Sequence, residues 1–136
     1  KAREELGLDK GELTRESIAH EYWKRYYARL FKEKGYQVSV EASRRNGKVD
    51  VLAVKPSDTE ARAPEGVAIE IETGKSDAVW NVKQDLLSGF GKVLVVATDR
   101  EALTIVEKQL AKAGLLGVSK VKVLFQAQNS SSKEQL

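Results

Sequence analysis

Apolar and polar positions along the chain alternate between two periods, and the switches between them mark the elements. From about Glu16 to Lys34 the apolar residues recur at helical spacing. Thr14, with Ser17 close behind, supplies a cap at one end, and Gly35 a C-terminal stop at the other. Gln37–Glu41 alternates in the period of a strand. Arg44–Lys48 contains Asn46-Gly47, a tight-turn signal, and Val49–Val54 reads as the returning strand. Lys55–Gly66 carries both prolines, Pro56 and Pro64, and reads as a loop. Val67–Glu72 is a third strand. A helix opens at Ser76 and runs to about Ser88, with Val79, Val82, Leu86 and Leu87 on its buried side. Lys92–Thr98 is nearly unbroken apolar sequence, the pattern of a strand covered on both faces. Ala102–Ala113 is helical, with Leu103, Val106 and Leu110 in step. Lys120–Phe125 is a last strand. The order is helix, three strands, helix, strand, helix, strand. That order predicts an α/β fold with a mixed central sheet flanked by helices.

Length and composition narrow the class. At 136 residues the chain suits one domain with a core of its own. Residues 1–13 read as a linker or short helix, 14–125 as the domain, and 126–136 as a polar tail. The 41% hydrophobic content excludes a disordered chain. No apolar run approaches the ~18 residues of a membrane span, and nothing resembles a secretory signal. The expected location is therefore the cytoplasm. The chain starts at Lys1 and has no methionine, which suggests a domain cut from a longer protein. With no cysteine and a single histidine, any metal must be held mainly by carboxylates. That points to Mg²⁺ or Mn²⁺. The net charge of +3 is mildly basic, weak support for a nucleic-acid partner.

Carboxylates then stand out by position. Residues two apart on a strand share a face, so Glu70 and Glu72 lie together with Ala68, opposite Val67, Ile69 and Ile71. Asp50 interrupts an otherwise apolar strand just after the tight turn, where an acid is costly unless solvated or paired. If the second and third strands are neighbours, Asp50 and Glu70 converge at one end of the sheet. Converging carboxylates repel one another. A divalent cation relieves that repulsion and can activate water against a phosphodiester. Solvent-facing strand acids would satisfy the same spacing.

The motif Asp50…Glu70-Ile71-Glu72, on a helix–three-strand–helix–strand frame covering roughly residues 15–98, resembles the PD-(D/E)XK restriction-endonuclease-like superfamily. The stretches Ala19-His20-Glu21-Tyr22, Gly35-Tyr36-Gln37-Val38, Lys48-Val49-Asp50-Val51 and Ile69-Glu70-Ile71-Glu72-Thr73-Gly74-Lys75 look like nuclease-like domains attached to archaeal DNA-translocating or conjugative-type ATPases. The resemblance implies a restriction-endonuclease-like αβββαβ core and a DNA endonuclease activity. It also implies an ATPase domain in the same longer chain. Asp50 and Glu70 would be metal ligands, and Ile71 would lend its backbone carbonyl. Glu72 stands where the family pattern expects lysine. It would be a third ligand or assist the water, and Lys75 would reach back to stabilise phosphate charge. The same departure leaves open a rival reading, a catalytically inactive nuclease-like module that binds DNA or a partner. Dimerisation would suit cutting both strands, although no residue demonstrates it.

The family often draws an acid from the first helix, and Glu21 is the obvious candidate. At ~100° per residue, Ala19, Trp23, Tyr27 and Leu30 define the apolar stripe. Glu21 then lies roughly 160° from Trp23 and His20 roughly 60° from it. His20 is therefore favoured as the helix residue facing the sheet, either contacting water or phosphate or serving as a core-edge histidine. Glu41 is a second candidate acid, with a surface role as its alternative. Arg44, Arg45 and Lys48 flank the turn and could grip a DNA backbone, as any solvated turn of that charge could. Gln84 could face the site. Tyr22, Trp23, Tyr26, Tyr27 and Phe31 are expected in the core. Thr73-Gly74-Lys75-Ser76 imitates the end of a phosphate-binding loop. That motif needs glycine where Ile69 stands, so nucleotide hydrolysis is rejected.

Overall fold

The computed structural model describes residues 14–56 and 65–125. The short helix expected before Gly11, the loop interior with Pro64, and the 126–136 tail lie outside the described residues. The elements follow the expected order: α1 (Arg15–Glu33), β1 (Gln37–Arg44), β2 (Gly47–Lys55), β3 (Glu65–Glu72), α2 (Ala78–Leu87), β4 (Lys92–Ala97), α3 (Arg100–Lys112) and β5 (Val121–Phe125). The five strands form one sheet in sequence order. β1, β2 and β3 pair antiparallel, and β3, β4 and β5 pair parallel. Among the described residues the fold is thus α/β with a mixed sheet and three helices. Among the described residues no helix is long and apolar enough to cross a membrane.

Each helix starts where a side chain can take up free backbone N–H groups. Thr14 and Ser17 cap α1 reciprocally, each side chain accepting from the other's backbone N–H. Asp77 caps α2 by accepting from the N–H of Trp80, and Asp99 caps α3 through Ala102. The expected start of α2 at Ser76 is therefore corrected to Asp77, and the Ser76 hydroxyl is used elsewhere. At the β1–β2 tip Arg44 faces Gly47, so Arg45 and Asn46 make the turn. Asn46 takes a left-handed φ of 56°, which asparagine tolerates better than most residues.

Two cores cover the two faces of the sheet. Trp23, Tyr27 and Phe31 of α1 pack on Val51, Ala53, Ile69, Ile71, Leu94, Val96 and Leu124. On the other face Ala78, Val82, Val106 and Leu110 of α2 and α3 pack on Val49, Ala68, Val93, Val95 and Val121. Tyr22 was expected inside but is 56% exposed, and Leu87 of α2 is 65% exposed. Val79, Val82 and Leu86 pack on the second of these cores as expected, and the most buried line of α2 runs through Ala78, Val82 and Asp85, at i, i+4 and i+7.

One irregularity matters for the site. Val49 belongs to one core and Val51 to the other, although residues two apart on a regular strand share a face. The facing of β2 therefore resets at Asp50. Across from Asp50, between the pairs Val40–Val51 and Ala42–Val49, lies Glu41 with φ 55°. A non-glycine residue held there stores on the order of 1–3 kcal/mol of strain, a feature concentrated at functional sites.

The loop leaving β3 is pinned by packing. Gly74 has φ 93°, and a Cβ there would sit 3.2 Å from Ile105 Cδ1 and 3.4 Å from the Ala102 backbone. Gly74→Ala should destabilise the fold by about 1–3 kcal/mol, read as a lowered thermal midpoint. An unchanged midpoint would show that the loop moves freely over α3.

Candidate acidic centre

β2 and β3 part at the site. Their last aligned pair is Val51 with Ile69, so Asp50 and Glu70 are the next residues in register. Beyond that pair the Asp50 side chain takes over from the ladder: its Oδ2 accepts the backbone N–H of Ile71 at 2.8 Å. The same oxygen lies 3.2 Å from His20 Nε2. Their side chains are 18% and 31% exposed respectively. The hydrogen bond to Asp50 raises the His20 pKa above its usual 6.5, and burial opposes it. Glu21, by contrast, faces outward and pairs with Lys24 and Arg25. The helical wheel therefore identified which residue of this helix meets the sheet.

Glu70 points to the opposite face and is only 3% exposed. Beside it lies Asp85 of α2, fully buried. Burial raises the Glu70 pKa far above the carboxylate range. Asp85 and Asp50 add to that, and Arg44 opposes them. Burial likewise raises Asp85, against the pull of Glu70 and Arg44. Arg44 Nε is 2.7 Å from Asp85 Oδ1, and Arg44 Nη2 is 4.0 Å from Glu70 Oε2. The short Arg44–Asp85 contact is an ion pair out of line for hydrogen bonding. Arg44 Nε, both Asp85 oxygens and Glu70 Oε2 all lack a hydrogen-bond partner. A protonated Glu70 can bridge to Asp85, whereas an ionised Glu70 leaves those oxygens with one arginine between two anions.

Glu72 is 1% exposed, and its carboxylate is engaged on both oxygens. Ser76 Oγ donates to Oε1 at 2.9 Å, and Asn81 Nδ2 donates to Oε2 at 3.1 Å. Burial raises its pKa, and those two bonds hold it back. The other expected residues fall in different places. Lys75 is 69% exposed, with Nζ 3.8 Å from Glu16 on α1. It does not reach back towards Glu70, because the turn at Gly74 carries it away. The Arg44 guanidinium is turned inward, its side chain 3% exposed, so it cannot grip a DNA backbone in this arrangement. It donates to the carbonyls of Arg45 and Asn46 and to Asn81 Oδ1. Arg45 and Lys48 are exposed. Gln84 is buried and accepts from the Asn46 amide at 3.1 Å, a contact that holds the turn on α2. Glu41 is exposed and bound to Lys24 Nζ at 2.7 Å. Ile71 enters through its N–H.

Three residues escaped the sequence reading: Asp85, Asn81 and Lys24. Asp85 had a signal, since it falls on the apolar stripe set by Ala78 and Val82. Lys24 had one too, being ~40° from His20 around the helix. Asn81 had none.

Among the described residues no three histidine, aspartate or glutamate side chains gather where they could hold a metal ion. Mg²⁺ keeps several waters and needs only one or two carboxylates. The buried Glu70 oxygen lacking any donor, with the Asp50 charge near enough to act on it, is compatible with that kind of ion and not with an all-protein cage. No family model, no curated protein and no solved structure matches the chain.

The charge imbalance gives a signed expectation. A carboxylate whose pKa is raised on folding stabilises fully below its ordinary value of 4.5. That contribution is lost as pH rises towards the folded value. Metal-free protein should therefore lose stability from about pH 4.5 up towards the folded value of about 11. Glu70→Gln should melt higher at pH 8, by about 1–3 kcal/mol, and fall less steeply with pH. A lower melting point for the variant at pH 8 would show that the Glu70 anion stabilises the fold.

Proposed function

We propose that the chain is a metal-dependent DNA endonuclease domain of the PD-(D/E)XK type, with a restriction-endonuclease-like core, working in the cytoplasm as part of a longer protein. What carries the reading is that Asp50 and Glu70 come next in register where β2 and β3 part, near enough for the Asp50 charge to act on Glu70, with one oxygen of Glu70 buried and without a donor. Asp50 and Glu70, with the Ile71 carbonyl, would hold Mg²⁺ or Mn²⁺. The ion would polarise the scissile phosphate and lower the pKa of an attacking water. His20, anchored on Asp50, can hold or release a proton beside that position. Glu72, fixed by Ser76 and Asn81, contributes field and shape and is not free to move as a base. Arg45 and Lys48 are the exposed cations of the hairpin available to a phosphate backbone. An ATPase domain in the same chain and a homodimer belong to this proposal as partners.

A second reading has an observation of its own. Glu72 occupies the place where the resemblance implies lysine, both of its oxygens are taken, and Lys75 turns to Glu16. A nuclease-like module that binds DNA or a partner without cutting would have such a site.

The deciding experiment is cleavage of supercoiled, single-stranded and branched DNA with Mg²⁺ or Mn²⁺. Wild type should nick in a metal-dependent manner. Glu70→Ala should be slower by at least about 100-fold, since losing even an outer-sphere partner of a metal costs 10–100-fold. Nicking at the wild-type rate by Glu70→Ala would sink the site assignment. DNA binding without nicking by wild type would favour the module.

A further inference from the structure

Helix α2 has three faces, and only two are used. One is buried through Ala78, Val82 and Asp85. The second carries Asn81, Gln84 and Ser88, which meet the β1–β2 tip. Arg44 donates to Asn81, the Asn46 amide to Gln84, and the Arg45 backbone N–H to Ser88 Oγ at 3.0 Å. The third carries Trp80, Lys83 and Leu87, at i, i+3 and i+7, on the side away from the core. Trp80 is 48% exposed and Leu87 65% exposed, and Lys83 between them is exposed.

Trp80 is the informative member. Tryptophan is highly buried on average, so an indole half in water near a polar centre calls for an explanation. It sits in the first turn of α2, next to Asn81, whose amide holds Glu72. The residue that holds Glu72 and the exposed indole are thus neighbours on one helix. The charged neighbours of Trp80 include an acid as well as cations: the exposed Asp77 carboxylate accepts the Trp80 backbone N–H at 3.1 Å. Lys83 follows one turn on, and the exposed Arg45 and Lys48 belong to the hairpin latched against the same helix. An aromatic plane with flanking cations matches a nucleic-acid strand whose bases are unstacked. The ring takes a base face and the cations take phosphates. A duplex hides its base faces, so it gains only the phosphate contacts.

We propose that Trp80 is a base-stacking platform on the outer face of α2, beside the residue that holds Glu72, and that the DNA this domain engages presents an unpaired strand there. The proposal rests on the reading of the chain as a DNA-acting domain and narrows its substrate class. Lys83 contributes charge and Trp80 contributes the preference for single strands.

The chain has two tryptophans, and Trp23 is only 5% exposed, so fluorescence change on DNA addition reports on Trp80. The test titrates wild type, Trp80→Phe, Trp80→Ala and Lys83→Ala with a 20-nucleotide oligo-thymidine and with a 20-base-pair duplex, in metal-free buffer. Single strands should quench wild-type emission. Trp80→Ala should bind the single strand about 5- to 150-fold more weakly and the duplex as wild type does. Trp80→Phe should recover part of the single-strand affinity. Lys83→Ala should reduce the salt dependence of single-strand binding by about 0.7 in log–log slope. Substitution at a half-exposed position leaves the core intact, and a melting curve for each variant checks this. Wild-type single-strand affinity in Trp80→Ala, or an equal loss on duplex, would overturn the platform. The cleavage assay separates this proposal from the nuclease reading. A Trp80→Ala protein that nicks DNA and keeps its single-strand affinity removes the platform alone. Trp80-dependent binding by a wild type that never cuts removes the nuclease alone.

Discussion

Where the ladder between β2 and β3 gives way, the Asp50 carboxylate accepts the N–H of Ile71 at 2.8 Å. A strand that leaves its partner must satisfy its backbone donors in some other way. Here a side chain from the departing strand does so, and the parting is therefore stable. The rest of the centre follows. Asp50 is drawn into the plane of the sheet, between the two cores, and can meet His20 from one side and the field of Glu70 from the other. A strand paired to its end would have sent the Asp50 side chain to a single face.

The opposite side of the sheet is arranged against its own stability. Glu70, Glu72 and Asp85 are all buried, with Arg44 as the cation among them. A buried ion pair seldom repays its desolvation, and an unpaired buried anion costs more. Proteins retain such arrangements where activity depends on them, accepting a less stable fold. The polar contacts around them are not loose. Arg44, Asn81, Glu72 and Ser76 form a continuous chain of donors and acceptors from the hairpin tip to the loop after β3.

Much of this was visible in the residues, for physical reasons. The period of the apolar positions gave every described element in order, since burial on one face leaves a repeat in the sequence. The alternation along β3 put Glu70 and Glu72 on one face because strand side chains can only alternate. The angle around α1 separated His20 from Glu21. What could not be read depends on contacts distant in the chain. Arg44 looked like a surface cation because nothing nearby shows Asp85 waiting on a helix. Lys75 looked close to the motif, but the left-handed turn at Gly74 directs it towards Glu16. The facing change in β2 was also hidden, because Val49 and Val51 are both apolar and either core accepts either one.

Glu41 has a consequence beyond the site. β1 is an outer strand of the sheet, and outer strands offer unused donors and acceptors to any passing extended chain. Val40, next to Glu41, is 49% exposed, so this margin would otherwise invite apolar as well as backbone contact. The left-handed backbone at Glu41 breaks the regular repeat midway along that margin, and the charge there is tied to Lys24. An incoming strand would find only short stretches in register on either side of the break. The same residue that sits opposite Asp50 thus guards the sheet against edge-to-edge aggregation.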